Sequence, residues 1–476
     1  MSGTVFTRMV SVGRSTRTVK CRSKGMGPKL INRLVRNAAG VHPLARNWTF
    51  LRLLAGRLVT NAGDSIYYVA ALWLVHDLGN STVYTGIASF LILLPSTLQF
   101  VVGPLVDRLQ VRTSLVVTQA GQALLIGTIP LAASYDLLSV ELVLVVIPLA
   151  SLLNQVTYPA QSSALPRAVE DEHLSTANSV FNAAHEGVNM TFNAVGGLLV
   201  GMAAVGAVGA LVIDVGTFAL AIVLFAGLTL PARTRREDAP DRAAPEAGES
   251  SAAPNSLRAQ IRAETRSYVA EFRDGISYLR GTAFLGVILP QIVISFAMGM
   301  LLAVLPAYAA LRGGSGLYGI LLSGLAAGAL VGSIAAARLD SVPYGHFIIA
   351  GSALTAAAWI GAAIAQWTPL IVGCFAVAIA YPGGNRVLFD TLVQTVAPED
   401  LIGRVSSSMA TLTNVATPFG SLAGGVVAAA VGPVAILWIA AAANLLVMLY
   451  FLARSSIRAL PPVASVERRD ERIENF

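Results

Sequence analysis

Gly103-Pro-Leu-Val-Asp-Arg-Leu-Gln-Val-Arg112 interrupts two long apolar runs, and its reading decides what kind of chain this is. Gly103 and Pro104 end or loosen the run before it. Asp107, Arg108 and Arg112 cannot rest in hydrocarbon, where a central arginine costs roughly 2.5–3.5 kcal/mol on the insertion scale. The stretch is therefore predicted to be a short turn at a membrane surface, with a spanning helix on either side.

Working outward, the 476 residues are 55% hydrophobic and only 12% charged, with mean hydropathy +0.67. A soluble domain carries about a quarter charged residues. The composition therefore predicts an all-α polytopic membrane protein. Runs long enough to cross about 30 Å of hydrocarbon fall at 50–76, 82–106, 113–134, 138–161, 176–202 and 206–231. After a hydrophilic gap come 283–310, 316–337, 343–365, 369–395, 404–430 and 433–453. Twelve spans are predicted, six on each side of the gap.

Lysine and arginine set the orientation. Residues 1–57 hold twelve of them and no acid, the central gap holds nine arginines and the stretch from Arg454 to the C-terminus five. The other set of loops holds Arg312 alone. Both termini are expected in the cytoplasm, in the cell (inner) membrane. The expected divisions are a basic N-terminal tail (1–48), a first six-helix bundle (49–231), a cytoplasmic linker (232–281), a second bundle (282–454) and a C-terminal tail (455–476). An organelle transit peptide or a true start at Met26 are other readings of the basic tail. Its lack of interleaved aromatics argues against nucleic acid as a partner. Within the linker, Leu257, Ile261, Tyr268, Phe272, Ile276 and Leu279 recur at helical spacing, predicting an amphipathic helix on the inner membrane face. A calmodulin-like docking site is the alternative there.

The halves echo each other. Shifted by 227, Val169 meets Val396, Glu172 meets Glu399, Leu174 meets Leu401 and Gly197 meets Gly424. The opening stretch also resembles the loop between the second and third helices of major facilitator superfamily transporters, roughly Gly-x-x-x-Asp-Arg-x-Gly-Arg-Arg. Gly103, Asp107, Arg108 and Arg112 match, while Gln110 and Val111 stand where Gly and Arg are usual. Arg57-Leu-Val-Thr-Asn-Ala-Gly-Asp64 and Pro398-Glu-Asp-Leu-Ile-Gly-Arg404 resemble the multidrug, macrolide and siderophore exporter branch. The resemblance implies two pseudo-symmetric bundles that rock about a substrate held between them at mid-depth. It also implies a cytoplasmic gate of Gly103, Asp107, Arg108, Arg112 and Arg404. Helix four carries no arginine across 138–161, and helix five has Val195-Gly196-Gly197 where the antiporter signature has Gly-Pro.

Acids inside spans are expensive to keep and mark function by default. Asp64 lies about 20 Å of rise into helix one, with Asn61, Ser65 and Tyr68 on its face, and is expected in the central cavity. Glu186 belongs to a stripe with Asn182, His185, Asn189 and Asn193 at spacings of three and four on helix five. These are the candidate proton-coupling or substrate residues. Asp214 is expected near the outer surface in a capping role. Arg386 and Asp390 are expected as an i,i+4 ion pair at the gate. Gly324, Gly328 and Gly332 predict close helix packing. Pro95, Pro148, Pro306, Pro382 and Pro418 are expected to bend their spans.

There is no phosphate-binding Gly-x-x-x-x-Gly-Lys-Ser/Thr, so ATP does not power the chain directly. Five His and two Cys, Cys21 and Cys374, show no ligand spacing. No enzyme, cofactor or metal is implied. The expected function is proton-coupled export of small amphipathic or hydrophobic molecules by a monomer, through an apolar, aromatic cavity. Dedicated export of one metabolite, siderophore or lysolipid, a passive facilitator, and a non-transporting receptor on the same fold are the alternatives.

Overall fold

The computed structural model describes residues 43–97, 110–229, 284–396, 402–454 and 460–466, with the single positions 273, 277 and 458. Those residues form α1 (Trp48–Gly79), α2 (Thr82–Thr97), α3 (Val111–Ser134), α4 (Val140–Ala168), α5 (Leu174–Gly201) and α6 (Gly206–Ala226). Then come α7 (Phe284–Arg312), α8 (Gly314–Leu339), α9 (Tyr344–Ile364), α10 (Thr368–Val396), α11 (Ile402–Val431) and α12 (Val434–Ala453). Each expected span has its helix. The expected linker helix and the turn at 103–109 lie outside the described residues.

Helix ends follow local chemistry. Asn47 caps α1, its side chain accepting from the Phe50 amide at 3.0 Å, and Ser139 caps α4 through Leu142 at 3.3 Å. Gly206 and Gly432 open equivalent turns with φ of +62° and +88°, a conformation that favours glycine. They fall 226 positions apart, so the internal repeat reaches into the backbone. Helix α4 continues through Pro159 and Pro166 to Ala168, past the expected end at 161, because its packed neighbours hold the backbone that proline frees.

Among the described residues nine helices are long and apolar enough to cross a membrane. The two long helices outside that set, α1 and α5, carry the polar residues singled out above. Outward faces are apolar, as along Val117, Leu124 and Leu131 of α3, which suits a lipid surround. Trp48 and Trp367 stand exposed at helix ends, where indoles favour the interface.

Within the second half, α8 and α10 touch through their backbones: a methyl at Gly328 or Gly332 would land on the carbonyl oxygens of Ala376 or Ala380. Gly332→Leu should therefore cost about 1–3 kcal/mol, read as a lowered thermal midpoint in detergent. An unchanged midpoint would show the seam to be slack.

Residues 460–466 are not a free tail. Leu460, Val463 and Val466 join the core of the second half with Tyr344 and Ile348. Pro462 pairs with Pro343, the Tyr344 amide donates to the Pro461 carbonyl at 3.3 Å, and Ala464 donates to Asp340 at 3.0 Å.

Candidate functional site

The hydrophobic cores divide unevenly along the helices. At the end carrying the α1–α2, α5–α6, α7–α8 and α11–α12 turns, one core joins both halves, from Ile66 and Val143 to Leu301, Leu321 and Ala441. At the other end each half has its own, around Leu53 and Phe225 in the first and around Val287 and Val396 in the second.

Every described hydrogen bond between the halves lies toward the joined end. Thr82 Oγ1 donates to the Gly425 carbonyl at 2.8 Å, Ser89 Oγ to Ser421 Oγ at 3.1 Å, and Ser323 Oγ to the Met190 carbonyl at 2.8 Å. Small residues allow this approach: a Cβ on Gly86 would meet Gly425, and one on Gly197 would meet Gly319. The rings of Trp73 and Tyr318 stack above the second seam, at 6.2 Å between centroids.

Asp64 lines a cavity of about 180 Å³ with Tyr67, Tyr68, Gln122, Ser151 and Asn154. That cavity is walled by the first half alone, which corrects the expected place in a cavity between the halves. The reason is the tilt of its face toward α3, α4 and α6, whose Gln122, Asn154 and Phe218 close around it. Asn61, one turn earlier, has its amide nitrogen buried without a hydrogen bond.

The α5 stripe reaches the same region. Ser65 Oγ donates to Asn189 Oδ1 at 3.0 Å, and Asn189 Nδ2 lies 3.1 Å from His185 Nε2. Asn182 is exposed. The Glu186 side chain lies outside the described set.

Two charged residues near Asp64 take places other than those expected: Arg57, read only within a motif, and Asp214, read as a cap near the surface. Arg57 is 5% exposed; its Nη1 donates to Gln161 Oε1 at 2.7 Å, and its guanidinium faces the rings of Tyr158 and Phe181 at 5.0 and 5.5 Å. Its spacing of seven from Asp64, two turns on one face, was the available signal. Asp214 is fully buried, not near a surface. It lies about 12 Å of rise into α6, accepts from Thr217 Oγ1 at 3.1 Å and leaves Oδ2 without a partner. Its carboxyl rests against the α1 backbone at Gly63, beside Asp64.

In the second half, α7, α10 and α11 enclose a cavity of about 530 Å³. Asn385, Arg386, Asp390, Thr413, Asn414 and Thr417 line it beside Pro382, Phe389, Val393 and Met409, so polar groups share a wall where an apolar, aromatic surface was expected. Arg386 and Asp390 are both exposed on its wall. They form no ion pair: among the described residues the one pair within 4.0 Å is His173–Glu172 at 3.1 Å. The expected gate pair is thus open, because water can solvate each charge separately at this wall.

Arg112 is exposed at the start of α3. Gly103, Asp107 and Arg108 lie outside the described residues, as does the side chain of Arg404. Glu170, Glu172 and His173 cluster within 4.8 Å at the α4–α5 turn, both glutamates exposed.

Comparison with known proteins places these features. Residues 53–343 match the sequence profile described as Major Facilitator Superfamily. The chain is 26% identical over 398 residues to the multidrug efflux pump Tap of Mycolicibacterium fortuitum, covering 80% of this chain and 90% of that one. A point mutant of the nucleoside transporter NupG superposes with TM-score 0.62 at 11% identity, over 85% of this chain and 99% of its own. A bacterial homologue of the iron transporter ferroportin, in its inward-facing state, gives 0.62 at 15%, over 85% and 98%.

Proposed function

This chain belongs to the Major Facilitator Superfamily, and on that premise we propose that it is a proton-coupled exporter of small amphipathic molecules working by alternating access. The observation that carries the reading is the uneven division of the cores. Halves joined at one end and separate at the other can rock about the middle, exposing a site between them to each side in turn. With the arginine-rich loops in the cytoplasm, the joined end is the outer one and the arrangement is inward-facing. Asp107 and Arg404 would meet at the inner end when the halves rock the other way, a charge-assisted contact made in one state only.

Export is supported by the likeness to Tap, and the proton role of Asp64 by its place in a cavity lined in part by Tyr67, Gln122 and Asn154, with a second acid and an arginine nearby. A carboxyl there would be ionised in one stage of the cycle and protonated in the other. The test is accumulation of a lipophilic cation such as ethidium in inverted vesicles, with and without an imposed proton gradient. Gradient-dependent accumulation supports the reading; accumulation indifferent to the gradient would make the chain a facilitator.

We place Glu186 with the cationic substrate. Glu186→Gln should weaken binding of cations by roughly ten- to a hundredfold relative to neutral compounds, the value of one partly desolvated charge pair. Equal weakening of both classes, measured by competition, would leave the α5 stripe a structural one.

A further inference from the structure

We propose that the cavity of the second half is a subsite for amphoteric substrates, which present a cationic amine to Asp390 and a carboxylate or similar anionic oxygen to Arg386. The inference deepens the exporter reading and rests on it for the word substrate.

The two charges are the first argument. They stand one helical turn apart on α10, a spacing that brings side chains within about 5–6 Å and favours pairing. Both instead remain exposed on the cavity wall with no ion pair. They feel each other's field along the helix but make no direct contact, so each keeps hydrogen-bonding capacity for what enters the cavity. A ligand of one sign would gain from one of them and be repelled by the other. A bare cation would meet the Arg386 guanidinium, and a polyanion would meet Asp390. Only a ligand bearing both signs is attracted by both.

The neutral wall is polarised in the same sense. Tyr344 Oη donates to Asn385 Oδ1 at 3.0 Å, so the oxygen of that amide is engaged and its nitrogen donors remain for the cavity. Tyr344 is itself anchored, its amide bonded to Pro461 of the docked C-terminal segment. Donors of Asn385 and Arg386 thus stand side by side. Across the cavity the opposite holds. Thr413 gives its hydroxyl hydrogen to the Met409 carbonyl at 3.0 Å and Thr417 to the Thr413 carbonyl at 3.3 Å. Both hydroxyls therefore offer lone pairs. The α10 wall thus offers donors at Asn385 and Arg386 and an acceptor at Asp390 one turn on, and the threonine hydroxyls of α11 add acceptors opposite.

Size agrees. A volume of about 530 Å³ lies within the roughly 300–1,000 Å³ of small-molecule sites. Phe389 and Met409 supply apolar surface for the body of the ligand. A dipeptide extends over about 7 Å, a length that fits within the cavity.

The test uses the full chain in lipid nanodiscs and three forms of one probe, the dipeptide naphthylalanyl-alanine: the free zwitterion, its methyl ester (cation only) and its N-acetyl derivative (anion only). Equilibrium dialysis should find the zwitterion bound about tenfold more tightly than either derivative, the worth of one charge-assisted contact. Asp390→Asn should abolish the advantage over the N-acetyl form while keeping that over the ester, and Arg386→Gln should do the converse. Equal binding of the three forms, or no binding of any, would overturn the subsite. Ethidium export by the same preparation in liposomes separates the two readings. Export retained with equal probe binding overturns the subsite alone, whereas lost export with the zwitterion preference intact overturns the exporter and leaves the binding site.

Discussion

Gly197→Leu should drive the protein out of the sealed arrangement, by roughly ten- to a hundredfold in population. A side chain at this position runs into the backbone of Gly319 on the other half, with the Ser315 carbonyl close by. Backbone cannot yield as a flexible side chain does, so the two helices must separate. The clash exists only while α5 and α8 meet. The substitution therefore raises the energy of one state and leaves the other nearly untouched, the condition for shifting a population. Ser315 is 8% exposed in the seam and serves as the reporter. In a chain whose Cys21 and Cys374 are replaced by serine, Ser315→Cys should react slowly with an impermeant maleimide, and much faster once Gly197→Leu is added. Unchanged labelling would mean that the α5–α8 seam does not close the outer end.

Asp64→Asn should abolish uphill transport and spare downhill exchange. Asparagine keeps the shape of the side chain beside Asn154 in the cavity wall, but it cannot take up and release a proton. The size of the effect follows from linkage: one pH unit is worth about 1.4 kcal/mol per proton, so exchange of one proton for one substrate sustains about a tenfold gradient. With a gradient of about one unit, accumulation should fall from about tenfold to none. Asp214→Asn makes an informative companion, since Asp214 lies beside Asp64 across Gly63. Accumulation that survives Asp64→Asn would move the coupling role elsewhere.

The twelve spans were legible because membrane helices announce themselves by length and apolarity, and each run found its helix. Close packing at Gly328 and Gly332 was legible too, since spacing of four puts small residues on one face, whereas Gly324 on the same face has room for a methyl. The site was harder to read. Spacing put Asp64, Ser65 and Tyr68 together but could not say which neighbours would close over them, and those neighbours came from α3, α4 and α6. Arg57 looked like one more orientation-setting charge until Gln161, Tyr158 and Phe181 of two other helices surrounded it. Asp214 was judged from its distance to a helix end, although full burial against Gly63 is a tertiary fact. Arg386 and Asp390 had the spacing of an ion pair, but an open polar wall removes the need to pair. Leu460, Val463 and Val466 recur every third residue, a weak pattern that two prolines concealed.

The most direct measurement is of proton movement driven by substrate alone. Liposomes holding the wild-type chain and a trapped pH-sensitive dye are loaded with ethidium, with no pH gradient imposed. As ethidium leaves down its own gradient, antiport brings protons inward, and the lumen should acidify in step with the loss. Protein-dependent efflux of ethidium at constant lumenal pH would contradict proton coupling.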